Sequence, residues 1–231
     1  YDRLAKVEAH EQRVMLDASQ TSEAINCLST DNLKGGALYW EYRTDDARLT
    51  IEVLKTAAEK GATLLNYCAF TGFHYNPDGY IDGGILRDEQ TGVSIDFRAK
   101  IVVNAAGPWV DETRLKDDRI KDNSLLLTKG IHLVFDHEKL PVEHPVYFDV
   151  GDGRMIFAIP REDCTYVGTT DTEFHLRPER PKITKNECRY LLDAINQMFS
   201  VPKLEIDDIR SSWAGIRPLI AKQGKSPSEL S

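Results

Sequence analysis

The sequence predicts a mixed α/β (α+β) protein, and three segments carry that prediction. Residues 46–60 repeat apolar side chains at i, i+4 spacing after an aspartate cap and end on Lys-Gly, which is typical of an amphipathic helix. Residues 68–86 contain two β-rich runs around an Asn-Pro-Asp-Gly turn, which favours an antiparallel hairpin. Residues 100–103 (Lys-Ile-Val-Val) contain an unbroken run of β-branched residues, which is typical of a strand buried on both faces of a parallel sheet.

The expected elements of the first half follow the same signals. Apolar residues among charges predict short helices near the amino end, and aromatic residues predict a strand before the clear helix. In order, we expect helices over 1–28, a strand over 37–42, the helix over 46–60, a β-meander of strands over 68–75, 80–86 and 92–97, and the strand over 100–103. Together they predict half of a nucleotide-binding α/β domain.

The second half predicts a substrate domain built on a mostly antiparallel sheet. Residues 111–123 are highly charged and form the preferred boundary, so we divide the chain into 1–110, 111–212 and a return segment over 213–231. Beyond the boundary we expect strands over 125–135, 146–149, 154–159, 165–168 and 204–213, and a helix over 185–199 capped by Thr184.

The composition excludes several classes of protein. The 231 residues include 29 Lys+Arg and 37 Asp+Glu, and the net charge of −8 argues against broad nucleic-acid binding. No stretch approaches the roughly 18 to 20 apolar residues of a membrane span. Four scattered cysteines indicate packed free thiols inside the cell, and six histidines without ligand spacing predict no metal site. The cysteines are Cys27, Cys68, Cys164 and Cys188.

Arg217 is the strongest candidate for binding an anionic group. It lies between Gly215 and Pro218 near the end of an apolar strand, where a guanidinium is costly unless it is paired. An anionic substrate group would pair it well, and a nearby carboxylate would serve equally.

A run of small residues follows the predicted parallel strand. The sequence Asn104-Ala105-Ala106-Gly107-Pro108-Trp109 lets a ligand approach the backbone, at the strand end where open α/β sheets bind cofactors. A tight turn without any ligand explains the same composition.

Three polar positions on the predicted antiparallel sheet are weaker candidates. Lys129 and His132 lie at the start of a strand, but the apolar neighbours of His132 favour a structural histidine. Thr170 belongs to the stretch 168–171 (Gly-Thr-Thr-Asp), whose hydroxyl and carboxyl groups turn capping explains as well.

Taken in order, these stretches resemble the FAD-dependent glycerol-3-phosphate dehydrogenase and glycerol-3-phosphate oxidase family, a branch of the D-amino-acid-oxidase-like flavoproteins. The resemblance runs through nearly the whole chain, and its Tyr-Arg-Thr-Asp-Asp-Ala-Arg-Leu run is too long for a chance match. The matching segments are 1–5, 33–36, 41–49, 103–110, 168–171 and 214–219.

The resemblance implies an enzyme that oxidises sn-glycerol 3-phosphate at C2 to dihydroxyacetone phosphate. Hydride would pass to N5 of FAD, and the electrons would then pass to quinone or O2. The resemblance implies a cytoplasmic protein, and it leaves open both an oligomer and peripheral contact with the inner face of the membrane.

The resemblance also implies roles for individual residues. On the cofactor side it implies FAD contacts from Phe70, Asn104, Ala105, Ala106, Gly107 and Trp109. On the substrate side it implies that Arg217 is catalytic and holds the substrate's oxygens, while His132 is a candidate for taking the C2 hydroxyl proton. Lys129, Thr170 and Arg43 are further candidates for substrate binding, although ion pairing with Asp45 and Asp46 would account for Arg43.

The sequence departs from the family pattern at the cofactor phosphates. It contains no G-x-G-x-x-G fingerprint, and the Gly-x-Gly at 151–153 lacks the third glycine and precedes a strand. We therefore expect an internal part of a longer flavoenzyme that is not active alone. Two alternatives remain, namely a related flavoprotein that oxidises an amine or hydroxy acid, and a non-catalytic structural fragment.

Overall fold

Two units make up the part of the chain that this computed structural model describes, which is residue 8 and residues 11–221. The first unit consists of the described residues of Tyr1–Trp40 and Ser124–Ser231, and the second is Glu41–Asn123. The sequence placed one boundary near residue 110 and another near 212, and the structure divides the chain differently. Strand pairing decides this division, because the described residues before 41 and after 212 pair within the first unit.

Strands dominate the described residues, with two longer helices. In chain order the elements are β1 (Val14–Asp17), α1 (Ala18–Ala24), β2 (Gly35–Leu38), α2 (Asp46–Glu59), β3 (Cys68–Tyr75), β4 (Ile81–Asp88), β5 (Ser94–Arg98), α3 (Val110–Arg114), β6 (Leu125–Asp136), β7 (Val146–Asp149), β8 (Met155–Arg161), β9 (Cys164–Gly168), β10 (Thr172–Glu173), α4 (Lys185–Met198) and β11 (Ser211–Ile220). Short 3-10 helices cover Gly107–Trp109 and Ile206–Asp208.

The first unit is built on a six-stranded sheet in which every pairing is antiparallel. The strand order is β10-β6-β9-β8-β7, and β11 pairs with β6 along its whole length. The two strands β1 and β2 form a separate antiparallel ribbon. This arrangement confirms the predicted mixed fold with a mostly antiparallel sheet.

Helix α4 covers one face of this sheet and closes the core of the first unit. Ile131, Leu133 and Phe135 alternate along β6 and are fully buried, together with Leu191 and Ile195 of α4. Burying side chains of this size contributes about 1.5 to 3 kcal/mol each. The helix begins where the sequence predicted, because the Thr184 side chain caps its first turn in a capping box with Glu187.

The second unit contains the meander β3-β4-β5 and the helices α2 and α3. None of its described apolar side chains is fully buried, and Leu49 and Val53 on the apolar side of α2 are 55% and 60% exposed. A polar cluster orders the segment after α3 instead. The buried Asp117 carboxylate accepts two hydrogen bonds from the Arg119 guanidinium, which also donates to the Gly79 carbonyl at 2.8 Å.

The strand expected over 37–42 overlaps β2 only at residues 37–38, and two other expected elements differ more strongly. Residues 14–17 were expected in a helix but form β1, because they pair with residues 35–38; residues 1–7 and 9–10 of the same expected helical region lie outside the described residues. Residues 100–103 were expected in a buried strand, but no described strand pairs with them. Ile101 and Val103 are consequently about four-fifths exposed, at 79% and 80%.

Residues 213–231 were expected to form a separate segment that returns to the cofactor, but part of this range belongs to the first unit. Residues 211–220 form β11, which is part of the first unit's sheet, and the remaining residues from 222 lie outside the described part of the chain. The strand expected over 204–213 therefore begins later than predicted and continues through Arg217.

Candidate functional site

The candidate substrate residues lie on a sheet whose two faces differ in what covers them. Strand alternation puts Trp213, Gly215 and Arg217 of β11 on one face, with Gly130 and His132 of β6 beside them. We call this the Arg217 face. The opposite face packs against α4 and belongs to the core.

The Arg217 guanidinium is held by the connection between β9 and β10. Its Nη2 donates to Thr169 Oγ1 at 3.0 Å, and its Nη1 donates to the Thr170 carbonyl at 3.2 Å and lies 3.5 Å from Asp171 Oδ1. Arginine has five N–H donors, and Nε makes no hydrogen bond with any described residue. The side chain is 37% exposed, so donors remain for an oxyanion.

Two glycines let functional side chains lie close to the sheet. A Cβ atom at Gly130 would lie 2.5 Å from Arg217 Nη2 and 2.6 Å from Thr169 Oγ1. A Cβ atom at Gly168 would overlap the His132 ring. Glycine is therefore required at both positions for the observed placement of the guanidinium and the imidazole.

His132 is enclosed by aromatic rings. Its imidazole stacks on Trp213 with ring centroids 4.6 Å apart and planes 9° apart, and the Phe157 and Tyr166 rings lie at 5.5 and 6.4 Å. Burial, and secondly the positive charge of Arg217, lower the pKa of His132 to about 4. The ring is therefore neutral at pH 7. Its Nδ1 is buried without a partner among the described residues.

Lys129 does not share this face. Its Nζ lies 2.9 Å from Glu187 Oε2 and donates to the Lys182 carbonyl at 2.5 Å, and both charged side chains are less than a tenth exposed. Burial would raise the pKa of Glu187, but Lys129 and the Thr184 capping groups together lower it. The ion pair joins β6 to α4, so Lys129 occupies a structural position opposite Arg217.

Thr170 was the substrate-binding candidate in the stretch 168–171, but its hydroxyl is turned into the sheet and that of Thr169 reaches Arg217. The Thr170 side chain is 2% exposed, and its hydroxyl accepts from Ile131 N at 3.1 Å and donates to the Lys129 carbonyl at 3.3 Å. It contributes only its carbonyl to Arg217. Thr169 supplies the hydroxyl that contacts the guanidinium.

Sequence reasoning overlooked three residues of the Arg217 face. Thr169 and Asp171 were noted within a turn-like stretch but not as partners of Arg217, and Trp213 was read as the end of a strand. Strand alternation from Arg217 would have found Trp213, since the two residues are four apart. The other two lie 48 and 46 positions from Arg217, and no local pattern reveals such contacts.

The second unit contains the residues expected to contact the cofactor. The Asn104 side chain closes the small-residue turn, accepting from Ala106 N at 3.2 Å and donating to the Val110 carbonyl at 3.0 Å. Gly107 has a φ of +55°, a conformation that favours glycine. A Cβ atom there would meet nothing within 4 Å, so the backbone at Gly107 is open to an approaching group.

The remaining expected contacts of this unit are more varied. Phe70 packs within the meander, because its ring meets Phe73 edge to face at 4.7 Å and lies against Gly84. Trp109 is 37% exposed and Ala105 is exposed beside the turn. Arg43 is exposed just before α2.

These residues fit part of the flavin site that the resemblance implies. The open backbone at Gly107 allows the close approach of a ligand. The sequence has no glycine-rich turn for a pyrophosphate. The structure therefore leaves the backbone at Gly107 accessible beside the small-residue turn, and the sequence contains no phosphate cradle.

Two kinds of feature are absent from the described residues. Among them, no cluster of three or more His, Cys, Asp or Glu side chains has the arrangement of a metal site. No helix of residues 11–221 combines the length and the apolar character needed to cross a bilayer.

Comparison with known proteins gives close relatives over the full chain. It is 50% identical to the aerobic glycerol-3-phosphate dehydrogenases of Staphylococcus haemolyticus (strain JCSC1435) and Staphylococcus aureus (strain USA300), over 100% of this chain and 42% of each relative. The chain thus spans less than half the length of these curated relatives.

Solved structures agree with this comparison. The glycerol-3-phosphate dehydrogenase of Bacillus halodurans complexed with FAD matches with a TM-score of 0.83 and 49% identity, over 90% of this chain and 42% of that one. Glycine oxidase from Bacillus cereus ATCC 14579 matches with a TM-score of 0.69 over 95% of this chain and 55% of that one, and at 18% identity it shows the fold alone.

The match to a family model covers almost the whole sequence. The model of the FAD dependent oxidoreductases (DAO) matches residues 1–228 of the 231. The chain belongs to the family of FAD dependent oxidoreductases.

Proposed function

We propose that the intact protein containing this chain oxidises sn-glycerol 3-phosphate at C2 to dihydroxyacetone phosphate, with FAD as its cofactor. The observation that carries the proposal is the pairing of a clamped, partly open Arg217 with a neutral His132 on one sheet face. The 50% identity to glycerol-3-phosphate dehydrogenases supports the choice of substrate.

Arg217 would bind the substrate's oxygens. Thr169, Thr170 and Asp171 fix the guanidinium, so its remaining donors point in a set direction before the substrate arrives. Preorganised donors stabilise charge that develops on oxygen, because no reorganisation is needed when the C2 oxygen becomes more negative.

His132 would take the proton of the C2 hydroxyl. A neutral imidazole can accept a proton at its unprotonated nitrogen. Nδ1 is buried, so we propose that Nε2 is the nitrogen that accepts the proton from the C2 hydroxyl. The flavin, when bound, supplies the acceptor for the hydride that leaves C2. Loss of the hydride from carbon and of the proton from oxygen leaves the C2 ketone.

Of the residues expected from the sequence, Arg217 and His132 remain in the proposed catalytic site. Asn104, Ala105, Ala106, Gly107, Trp109 and Phe70 remain proposed cofactor contacts, and Arg43 remains a proposed substrate contact. Thr170 serves through its carbonyl on Arg217, and the ion pair of Lys129 with Glu187 removes Lys129 from the proposed substrate contacts. Quinone or O2 as the acceptor, and a cytoplasmic or peripheral membrane location, belong to the same proposal.

The proposal is tested on the intact protein loaded with FAD, by reduction of a redox dye with sn-glycerol 3-phosphate. We expect turnover by the unmodified protein and a loss of about 10²- to 10³-fold in kcat/KM for Arg217→Ala. Arg210→Ala is the matched control, because Arg210 is an exposed arginine of the same unit that pairs with Asp136 and Asp163. It should keep kcat/KM within about twofold.

A different substrate, a different electron acceptor or flavin binding by the chain alone would each give a different experimental result. Turnover of glycine, sarcosine or a hydroxy acid without turnover of glycerol 3-phosphate would reject the proposed substrate. Hydrogen peroxide formation compared with quinone reduction identifies the acceptor. Stoichiometric flavin binding by the 231-residue chain alone would contradict the expectation that FAD needs a phosphate cradle elsewhere.

A further inference from the structure

Two glycines face each other across the central strand pair. Gly130 of β6 and Gly215 of β11 are register partners, so they lie side by side on the Arg217 face. Neither has the left-handed backbone conformation that favours glycine, since neither has a positive φ. The reason for glycine at each position must therefore lie in what occupies the space above it.

That space is filled at Gly130 and open at Gly215. The guanidinium of Arg217 and the hydroxyl of Thr169 lie over Gly130, where a Cβ atom would overlap both. A Cβ atom at Gly215 would meet nothing within 4 Å, and the residue is exposed. The contacts within the described chain explain the first glycine and leave the second without a structural reason.

The open space has distinct walls. Strand alternation places Trp213 and Arg217 on either side of Gly215 on the same face of β11. Trp213 is 45% exposed and stacks on His132, while Arg217 is 37% exposed with donors to spare. We call this space the Gly215 notch. It has a cation at one end and an indole stacked on a neutral imidazole at the other.

We propose that the Gly215 notch seats the carbon chain of the substrate, and that Gly215 determines specificity for a short, unbranched oxyanion-bearing alcohol. This inference rests on the proposed function and adds the position of the substrate. An oxygen of the substrate binds Arg217, and the carbon chain lies over the bare backbone of Gly215 against the Trp213 ring. A side chain at 215 would occupy the space that the carbon atoms need.

The paired glycines offer a matched set of variants. A Cβ atom at Gly215 meets no described atom within 4 Å, so Gly215→Ala should fold with at least the thermal stability of the unmodified protein, and Gly215→Val fills more of the notch. Gly130→Ala instead displaces Arg217 and Thr169. All three are made in the intact protein loaded with FAD, and a melting curve checks each fold.

Binding is measured by anaerobic calorimetry on the protein with its FAD reduced, because oxidised FAD would consume the substrate. The two probes are sn-glycerol 3-phosphate and inorganic phosphate. For Gly215→Ala we expect the Kd of glycerol 3-phosphate to rise about tenfold and for Gly215→Val about a hundredfold, while the Kd of inorganic phosphate stays within about twofold. Inorganic phosphate has no carbon chain to place in the notch. Gly130→Ala should weaken both probes, because it moves the arginine itself.

The outcomes separate this inference from the proposed function. If Gly215→Val leaves the Kd of glycerol 3-phosphate within twofold, the notch does not seat the substrate. Equal weakening of both probes by Gly215→Val would also overturn the inference, since Arg217 would then be what changed. If the unmodified protein binds glycerol 3-phosphate and the Gly215 variants lose it, the notch stands even without turnover, and only the proposed reaction fails. No binding by the unmodified protein overturns both.

Discussion

The two units of this chain contain helices of equal length that are stabilised in different ways. Helices α2 and α4 each have 14 residues, each begins with a side-chain cap, and each has an amphipathic pattern. In α4 the apolar side chains Leu191 and Ile195 are fully buried against β6. In α2 no residue is buried, and Leu49 is 55% exposed.

This difference shows that an amphipathic pattern predicts a helix without predicting what covers its apolar face. Capping groups and propensity act within one or two turns, so they specify α2 without any partner. Burial needs residues from elsewhere in the chain, and the described part of the second unit supplies none that encloses α2. The polar contacts of that unit include two hydrogen bonds from Arg119 to Asp117.

The same substitution in the two helices should separate them most clearly. Leu191→Ala should lower the free energy of unfolding of the chain by about 2 to 5 kcal/mol, because it leaves a cavity in a closed core. Leu49→Ala should lower it by less than about 0.5 kcal/mol, because that side chain is already half exposed. Urea unfolding followed by circular dichroism measures both. Equal losses would show that α2 is covered and would remove the contrast.

Acid should weaken the first unit before the second. The folded pKa of His132 is about 4 against 6.5 for the free side chain, so the unfolded state takes up a proton first as pH falls. The contribution of neutral His132 to the free energy of unfolding is therefore fully present above pH 6.5, and it is lost as the pH falls from 6.5 to 4. The two pKa values differ by the equivalent of about 3 kcal/mol. We expect acidification to lower the free energy of unfolding by about 2 kcal/mol, because solvent reaches part of the ring.

The comparison with the second unit uses Asp117. Its hydrogen bonds with Arg119 hold the pKa of the Asp117 carboxyl well below its usual range. The stability that this carboxylate contributes is therefore fully present above the ordinary pKa of an aspartate, and it is lost only as the pH falls through the lowered pKa of the folded state. Hydrogen exchange at pH 6.5 and 4.5 should show lower protection in β6 but not around Asp117. His132→Gln should remove about 2 kcal/mol of the pH dependence; an unchanged pH profile in that variant would assign the effect to other groups.

The helix caps should give the smallest difference. Thr184→Ala should lower the free energy of unfolding by about 1 kcal/mol, because α4 unfolds with the core. Asp45→Ala removes a cap of similar strength from α2, but we expect α2 to open locally because none of its residues is buried. We expect about fivefold faster amide exchange in α2 and an unchanged urea midpoint. A shifted midpoint would show that α2 unfolds together with the rest.

The sequence predicted much of the fold and part of the candidate site. The Thr184 cap, the meander around Asn76 and the strands of the main sheet were predicted because their signals lie within a few residues. Lys129 and His132 were both expected on the side of the sheet that faces the cofactor, although residues three apart on a strand point to opposite faces. Strand alternation alone could have corrected this expectation.

Other features could not be predicted from the sequence. The choice between Thr169 and Thr170 depends on how one connection turns over β6, and both residues have the same chemistry. The run at 100–103 has the composition of a buried strand, yet Ile101 and Val103 are exposed. The β-branched composition of a segment indicates that the segment would be stable in a buried strand, but it becomes buried only when a neighbouring strand pairs with it.

The sequence by itself determined most of the elements, the mixed fold class and the family resemblance, and it indicated Arg217 as the candidate for binding an anionic group. Only the tertiary structure decided that Thr169 and Asp171 hold Arg217, that Lys129 lies on the opposite face with Glu187, and that Gly215 is open while Gly130 is covered. The physical reason is the range of the interactions. Propensity, caps and periodicity act within a few residues, but Arg217 meets partners 46 to 48 positions away, and only the folded sheet brings them together.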